Sequence, residues 1–470
     1  MSTNRTNSTI LEFTGIENLK YRICLYTIFI ITFIMAGPTL LPSPLEAKRI
    51  SMIRDAEIEN TIRNYTKPLL LAAGLDPLSI RIHIVKDNTL NAFVAGGQQI
   101  FINSGLILRS KNANQLIGVL AHEIGHISGG HLIKGAKARK NISATSLLSV
   151  LLGGAAIIAG RPDAAAAAIQ FGANVGIKNY LSFNRTQESA ADQSAFRFLE
   201  LTQQSATGLL EFMKVLEDQE LLSTRNQDPY VRTHPLNRNR IESIRQHLKK
   251  SRFTGKLSST IDSTSHARIK AKLVGFTQTY SQTLREYPEN KESLPSIYAR
   301  SIAYYRIPNV QKAIKLIDKL ISKMPNDPYF HELKGQIYFE NGKISLALTS
   351  YQMATDLIPD SALLRAQLGR AQIAKNEPDF LTKAVSNLLY SVDKDPNRPN
   401  VWRQLGIAYG RLGKKGESSQ ALAEEAILLG RNKEAIHIAE RAKKQSKIGT
   451  TNWLRAEDII TAARENLKTK

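Results

Sequence analysis

Cysteine is almost absent: Cys24 is the only one in 470 residues. That excludes a disulfide framework within the chain and any thiolate metal site. No aromatic-interleaved basic block occurs, although the formal net charge is +22. Lysine and arginine are spread along the whole chain among Glu and Asp, which is the pattern of solvated helix faces rather than of a nucleic-acid groove. Long apolar runs are also scarce. Residues 23–36, "ICLYTIFIITFIMA", are fourteen uncharged residues preceded by Lys20 and Arg22. They are too few to cross a bilayer comfortably but fit the apolar core of a secretory signal. Glu12 and Glu17 in the preceding residues, and the lack of a clean small-x-small site after Ala36, leave an uncleaved signal anchor as the alternative. Cys24 does not follow the run, so no lipidation box is formed.

What is present is a globular composition, 42% hydrophobic and 22% charged, on a chain long enough for two or three domains. After a Pro-rich break at 38–44, residues 47–73 carry helical spacing, 78–86 alternate as a strand, and 91–107 read as two short strands around Gly96-Gly97. A helix is expected from about Asn112. Residues 143–160 are uncharged for eighteen positions, and a second apolar arm runs to 177. This pair reads as a soluble lid-like helical pair, with a membrane hairpin as the alternative. From Tyr180 to Lys250 the pattern is helical with a break at 228–235, and the Ser/Thr-rich stretch 251–265 marks a domain boundary.

Beyond it lies a repeat. Ser301, Gly335, Gly369 and Gly406 recur at intervals of 34, 34 and 37 residues. Ala313, Ala347 and Ala384 follow the first three by 12, 12 and 15, and Pro325, Pro359 and Pro396 follow those alanines by twelve. Small residues at helix crossings and a closing proline on a 34-residue period are the pattern of tetratricopeptide repeats, which present a concave surface to partners. The three-residue excess is expected in a widened turn at "NEPDFLTK" (376–383).

The chemistry sits in "GVLAHEIGHISGGH" (118–131). His122 and His126, four apart, lie about 40° apart on one helical face. With Glu123 between them they form the H-E-x-x-H arrangement, in which two imidazoles hold zinc and the carboxylate is general base. A catalytic zinc needs a third protein ligand and an open position. His131 falls about 140° around the helix from His126. It is therefore read as a residue behind the site or at the surface, not a ligand. "NRTQESAADQSAF" (184–196) supplies Glu188, with Asp192 one turn on to accept from the free nitrogen of a zinc-bound histidine.

"HEIGH" followed by "ESAAD", with "NAFVAGGQQIFINSGLI" before and "THPLNRNRI" (233–241) after, resembles the gluzincin metalloproteases that include the HtpX-like and CAAX prenyl proteases. The repeats and export signal make the chain most similar to the periplasmic BepA-type branch. The resemblance implies an α+β metalloprotease domain with a small sheet, mainly α overall, followed by a tetratricopeptide-like solenoid. It implies one Zn2+ per chain on His122, His126 and Glu188, with Glu123 as base. His234 either fills the open position at rest or stabilises the tetrahedral intermediate, and Arg240 is structural. Gln98, Gln99, Ile100, Phe101, Ile102 and Asn103 would form an edge strand pairing with extended substrate.

The expected organisation is a signal or anchor with the Pro-rich break at 1–44, a protease at 45–250, and a linker with connecting helix at 251–285. Repeats follow at 286–445 and a C-terminal helix at 446–470. The expected activity is hydrolysis of unfolded or misassembled envelope proteins in the periplasm of a Gram-negative bacterium. Peripheral membrane contact is allowed, and no nucleic acid is involved. The β-barrel assembly machinery of the outer membrane is the partner that the resemblance implies. The alternative is a periplasmic repeat-based chaperone or assembly factor with a largely latent protease site.

Overall fold

A four-stranded mixed sheet and helices packed on it build the first half of the molecule, and paired helices build the second. The computed structural model describes residues 51–96, 98–132, 134, 184–220, 230, 234, 235 and 238–468. The apolar segments at 23–36 and 143–177 lie outside the described residues. Among the described residues no helix is long and apolar enough to cross a membrane.

The chain enters through β1 (Met52–Ile53) and α1 (Ala56–Ala72), followed by β2 (Arg81–Val85), β3 (Ala92–Ala95) and β4 (Gln99–Asn103). The strand order is β1-β2-β4-β3, with β4 parallel to β2 and antiparallel to β3. Alternation decides the faces. Ile84, Ile100, Ile102 and Ala92 are buried on one face, while His83, Phe101 and Phe93 stack in a row across the other.

This order corrects one expectation. The strand at 98–103 is not an edge. Both its sides are taken, Gln98 is in the preceding turn, and Asn103 and the isoleucines are buried. The hairpin through Gly96 (φ +57°) instead places β3 outermost. Two strands read from one apolar stretch do not reveal which of them gains a second neighbour, because a parallel crossover from β2 decides that.

α2 (Ser104–Arg109) leads to α3 (Ala113–Ser128), whose first turn is capped by the Asn112 side chain accepting from the Gln115 N–H. Helix α4 covers 184–201, followed by α5 (Thr207–Glu220) and α6 (Arg238–Lys250). Helix α3 is the centre of this half. Leu116, Val119, Leu120 and Ile124 are buried among Ile62 and Leu69 of α1, Phe196 and Leu199 of α4, and Leu209, Phe212 and Met213 of α5. Two glycines set its approach to its neighbours. A Cβ on Gly125 would sit 2.7 Å from the Ala191 carbonyl oxygen, and one on Gly118 would sit 2.8 Å from the Leu209 nitrogen.

The stretch read as a boundary runs directly into α7 (Thr260–Thr277), with the Ser259 hydroxyl accepting from Asp262 N–H as its cap. After α8 (Tyr280–Glu286), five antiparallel pairs follow. They are α9 (Leu294–Arg306) with α10 (Val310–Lys323), α11 (Pro328–Glu340) with α12 (Ile344–Leu357), α13 (Ala362–Lys375) with α14 (Pro378–Lys394), α15 (Pro399–Arg411) with α16 (Lys415–Leu428), and α17 (Asn432–Lys444) with α18 (Thr451–Lys468). The small residues stand at the crossings as expected. A Cβ on Gly335, Gly369 or Gly406 would meet Tyr351, Leu388 or Leu422 at 2.8–2.9 Å. Ser301 donates its hydroxyl to the Ala313 carbonyl at 2.9 Å. The three extra residues do not widen a turn. The α13–α14 connection is only Asn376-Glu377, and α14 gains most of a turn at its N-terminus, where Pro378 pre-sets the first φ.

Helix α7 belongs to both halves. Ile269 and Leu273 lie in the core of the first half, and Gly275 allows α9 to approach so closely that a Cβ would fall 2.8 Å from Ile302. Its polar side chains form a buried ionic seam. Lys272 lies 2.8 Å from Asp55, 3.3 Å from Glu57 and 3.7 Å from Glu332, while Arg268 pairs with Glu57 (2.7 Å) and Asp327 (2.5 Å). The Tyr298 hydroxyl donates to Glu57 at 2.8 Å. Burial works against the Lys272 charge, but the surrounding carboxylates hold its pKa well above the usual lysine value. Removing one cation from such a cluster leaves carboxylates buried without compensation. With Arg268 still in place, Lys272→Met is expected to cost about 3 kcal/mol, the low end for a broken buried pair. The urea midpoint measures it, and an unchanged midpoint would show that the seam contributes nothing.

Candidate metal centre

Three elements deliver the site. Helix α3 presents His122, Glu123 and His126, α4 presents Glu188 and Asp192, and the turn before α6 presents His234. The close α3–α4 approach at Gly125·Ala191 brings the first two sets together. All five side chains of α3 and α4 are buried, and so is that of His234.

His122, His126, Glu188 and His234 each offer one donor atom within 4.8 Å of the others. Their separations are informative. His122 Nε2 lies 3.1 Å from His126 Nε2, 3.3 Å from Glu188 Oε2 and 3.4 Å from His234 Nδ1. His126 Nε2 is 3.4 Å from Glu188 Oε1, and His234 Nδ1 is 3.2 Å from both Glu188 oxygens. A tetrahedron with metal–ligand bonds of about 2.0–2.1 Å has edges of about 3.3 Å. Lone pairs of three imidazoles and a carboxylate converging at that spacing fit a zinc ion. Nitrogen and carboxylate donors with no thiolate also suit it chemically.

Behind the donors stands a second layer of charge. His122 Nδ1 is 2.9 Å from Asp192 Oδ1. Arg240 donates to Asp192 through Nε (2.7 Å) and Nη2 (2.9 Å), and its Nη1 lies 3.0 Å from Glu188 Oε2 and donates to the Pro235 carbonyl at 3.0 Å. One guanidinium thus bridges Glu188 and Asp192 and ties them to the segment carrying His234. Burial disfavours the imidazolium of His122, but Asp192 and Glu188 outweigh it and raise its pKa to about 9. Burial also opposes ionisation of Glu188, yet His234 and His122 hold its pKa far below the usual value. For His126, burial and the neighbouring rings both disfavour charge, so it is strongly lowered. Asp192 is lowered against burial by Arg240 and His122.

Glu123 differs from the other two carboxyls. Its nearest cation-capable partner is His234 Nε2 at 3.6 Å, and burial pushes its pKa up despite His234 and His122. A carboxylate whose pKa is moved toward neutrality is better matched to taking a proton.

Tyr230 was not foreseen. Its ring stacks on His234 with centroids 4.5 Å apart, and its carbonyl accepts from the His234 N–H at 2.8 Å. The signal was available as a Tyr four residues before the histidine in "YVRTH". His131, placed off the ligand face by helical phase, lies outside the four-donor cluster and against the far side of His126.

Residues 54–248 match Peptidase family M48. The beta-barrel assembly-enhancing protease of Yersinia pestis is 23% identical over 423 residues, covering 88% of this chain and 85% of that one. The protein of the same name from Escherichia coli (strain K12) is 23% identical over 418 residues, covering 88% and 84%. A solved MamA structure covers 35% of this chain and 96% of its own at 19% identity, with a TM-score of 0.30.

Proposed function

Starting from a zinc metalloendopeptidase with an M48 peptidase domain at residues 54–248, we propose that it degrades unfolded or misassembled β-barrel proteins in the periplasm of a Gram-negative bacterium, with its helical repeats as the recruiting arm. The outer-membrane assembly machinery is the partner this reading assigns to the repeats. The observation that carries the proteolytic part is the tetrahedral spacing of the four donors beside a carboxylate that none of them neutralises fully. In this reading His122, His126 and Glu188 are the permanent zinc ligands. When bound, zinc acts as a Lewis acid toward the scissile carbonyl and acidifies water. Glu123 takes the proton from the attacking water and passes it to the leaving amine. Asp192 holds the His122 ring through Nδ1, and Arg240 fixes Asp192 and Glu188 against each other. Extended substrate adds to the outer side of β3, the terminal strand of the sheet among the described residues, through main-chain hydrogen bonds that suit unfolded chains of any sequence.

The position of His234 supports one of the two roles considered for it. Its Nδ1, at 3.2–3.4 Å from Glu188 and His122, is close enough to them to serve as a fourth donor. A catalytic zinc keeps that position open. This favours a resting, latent enzyme whose His234 must swing away before substrate enters.

The test uses the purified chain, its zinc content, and an unfolded outer-membrane β-barrel protein as substrate. Zinc-dependent cleavage is expected, abolished by chelation. His234→Ala is expected to cleave several-fold faster than the parent. A slower variant would give His234 a catalytic role, and absence of bound zinc would refute the site.

A further inference from the structure

Each ring on α3 has two nitrogens, and for His122 both have an evident use: Nε2 faces the other donors and Nδ1 faces Asp192. His126 Nε2 faces the same donors, so its Nδ1 also needs a partner. His131 Nδ1 lies 2.9 Å from it, with the two rings edge to face at 5.0 Å. His131 is only 8% exposed although it follows the end of the helix. Its backbone is held from α4, where Gln187, the neighbour of Glu188, donates to the His131 carbonyl at 3.3 Å.

The sequence between the two histidines is shaped for this contact. Gly129 closes α3 in ordinary right-handed geometry (φ −76°, ψ −9°), so its backbone does not require glycine. Its missing side chain does: a Cβ there would fall 2.3 Å from His131 Nε2 and 2.7 Å from Cδ2. Gly130, at φ +61°, then turns the chain back through the left-handed region that side chains disfavour. One glycine makes room for the ring, and the next aims it.

We infer that His131 is a positioning residue of the metal centre: its Nδ1 accepts the Nδ1–H of His126 and locks that ring in the tautomer whose Nε2 faces His122, Glu188 and His234. This rests on the reading of His126 as a zinc ligand. The device is asymmetric. His122 is backed by an anion and His126 by a neutral imidazole, which fixes orientation without adding a further negative charge to a buried site that already holds Glu123, Glu188 and Asp192.

The experiment measures zinc affinity of the full chain by competition with a chelator, for the parent and four variants. His126→Ala should lose zinc. His131→Leu keeps bulk without an acceptor and should bind zinc roughly 10–100-fold more weakly, the usual loss for a partner of a metal-bound histidine. His131→Asn places its amide oxygen near the former Nδ1 and should stay within a few-fold of the parent. Gly129→Ala, tolerated by the backbone, should displace the ring and weaken zinc as His131→Leu does. Unfolding midpoints of the metal-free variants identify any that simply fail to fold, in which case Gly129→Ala against His131→Asn decides. If His126→Ala loses zinc while His131→Leu and Gly129→Ala bind like the parent, the inference fails alone. An Asn variant as weak as Leu also overturns it, since the ring would then serve only as packing. If His126→Ala itself binds zinc like the parent, the ligand reading fails and takes the inference with it.

Discussion

Glu123→Gln should lower the cleavage rate of an unfolded substrate by about 10²–10⁴-fold while bound zinc stays at the parent level. The amide keeps the size of the side chain, so no cavity opens beside Ile124 and Ala121 in a core where both are fully buried. It removes the negative charge and with it the capacity to accept a proton. Glu123 lies on the same turn as His122 but points its charge to His234 rather than to Glu188 or Arg240, so zinc retention and activity should separate cleanly. Loss of zinc together with activity would show that Glu123 is structural. A variant keeping more than a tenth of the rate would remove it as base.

The second large effect is on stability. Arg240 is 2% exposed and sits between Asp192 and Glu188, two carboxylates that are themselves buried. Arg240→Leu strips both of their cation at once and should cost about 3–5 kcal/mol in the metal-free chain. Zinc binds only the folded chain and should restore part of the loss. Arg240→Lys should recover little, because a point charge cannot span the two oxygens of Asp192 as the guanidinium fork does. Urea unfolding with and without chelator measures each step. A cost under about 1 kcal/mol would mean that Glu188 and Asp192 are held by other groups.

Much of this centre was legible because its parts are periodic. His122 and His126 are one helical turn apart, as are Glu188 and Asp192, so local spacing alone predicted which side chains share a face. The same rule kept His131 off that face. Helical phase could not show that Gly129 and Gly130 fold it back onto His126 from behind, since the helix has ended by then. The sheet was legible as strands and illegible as an order: alternation marks the faces of β3 and β4 but not which one lies between two others. The repeats were read from small residues at 34-residue spacing, and the structure placed each at a helix crossing. The extra turn of α14 was misread as loop because a proline at a helix start looks the same as one in a turn. Least legible was the region 251–285. Its Ser and Thr suggested a tether, and only long-range contacts reveal that Lys272 finds Asp55 217 positions upstream and Arg268 finds Asp327 59 positions downstream.

Those contacts bear on how such molecules can be recombined. A repeat array joined by a flexible tether can be exchanged like a cassette. Here a chimera cut at residue 286 would inherit half a seam: Asp55, Glu57, Arg268 and Lys272 without the Asp327, Glu332 and Tyr298 they face. A workable graft must carry α7 and the first three repeat pairs with the protease, because Arg54 also donates to Asp395 at the end of α14 (2.7 Å) and Ala56 is buried with Leu364 of α13. The natural modules of this chain are therefore unequal to its sequence repeats, and the first repeats count as part of the enzyme.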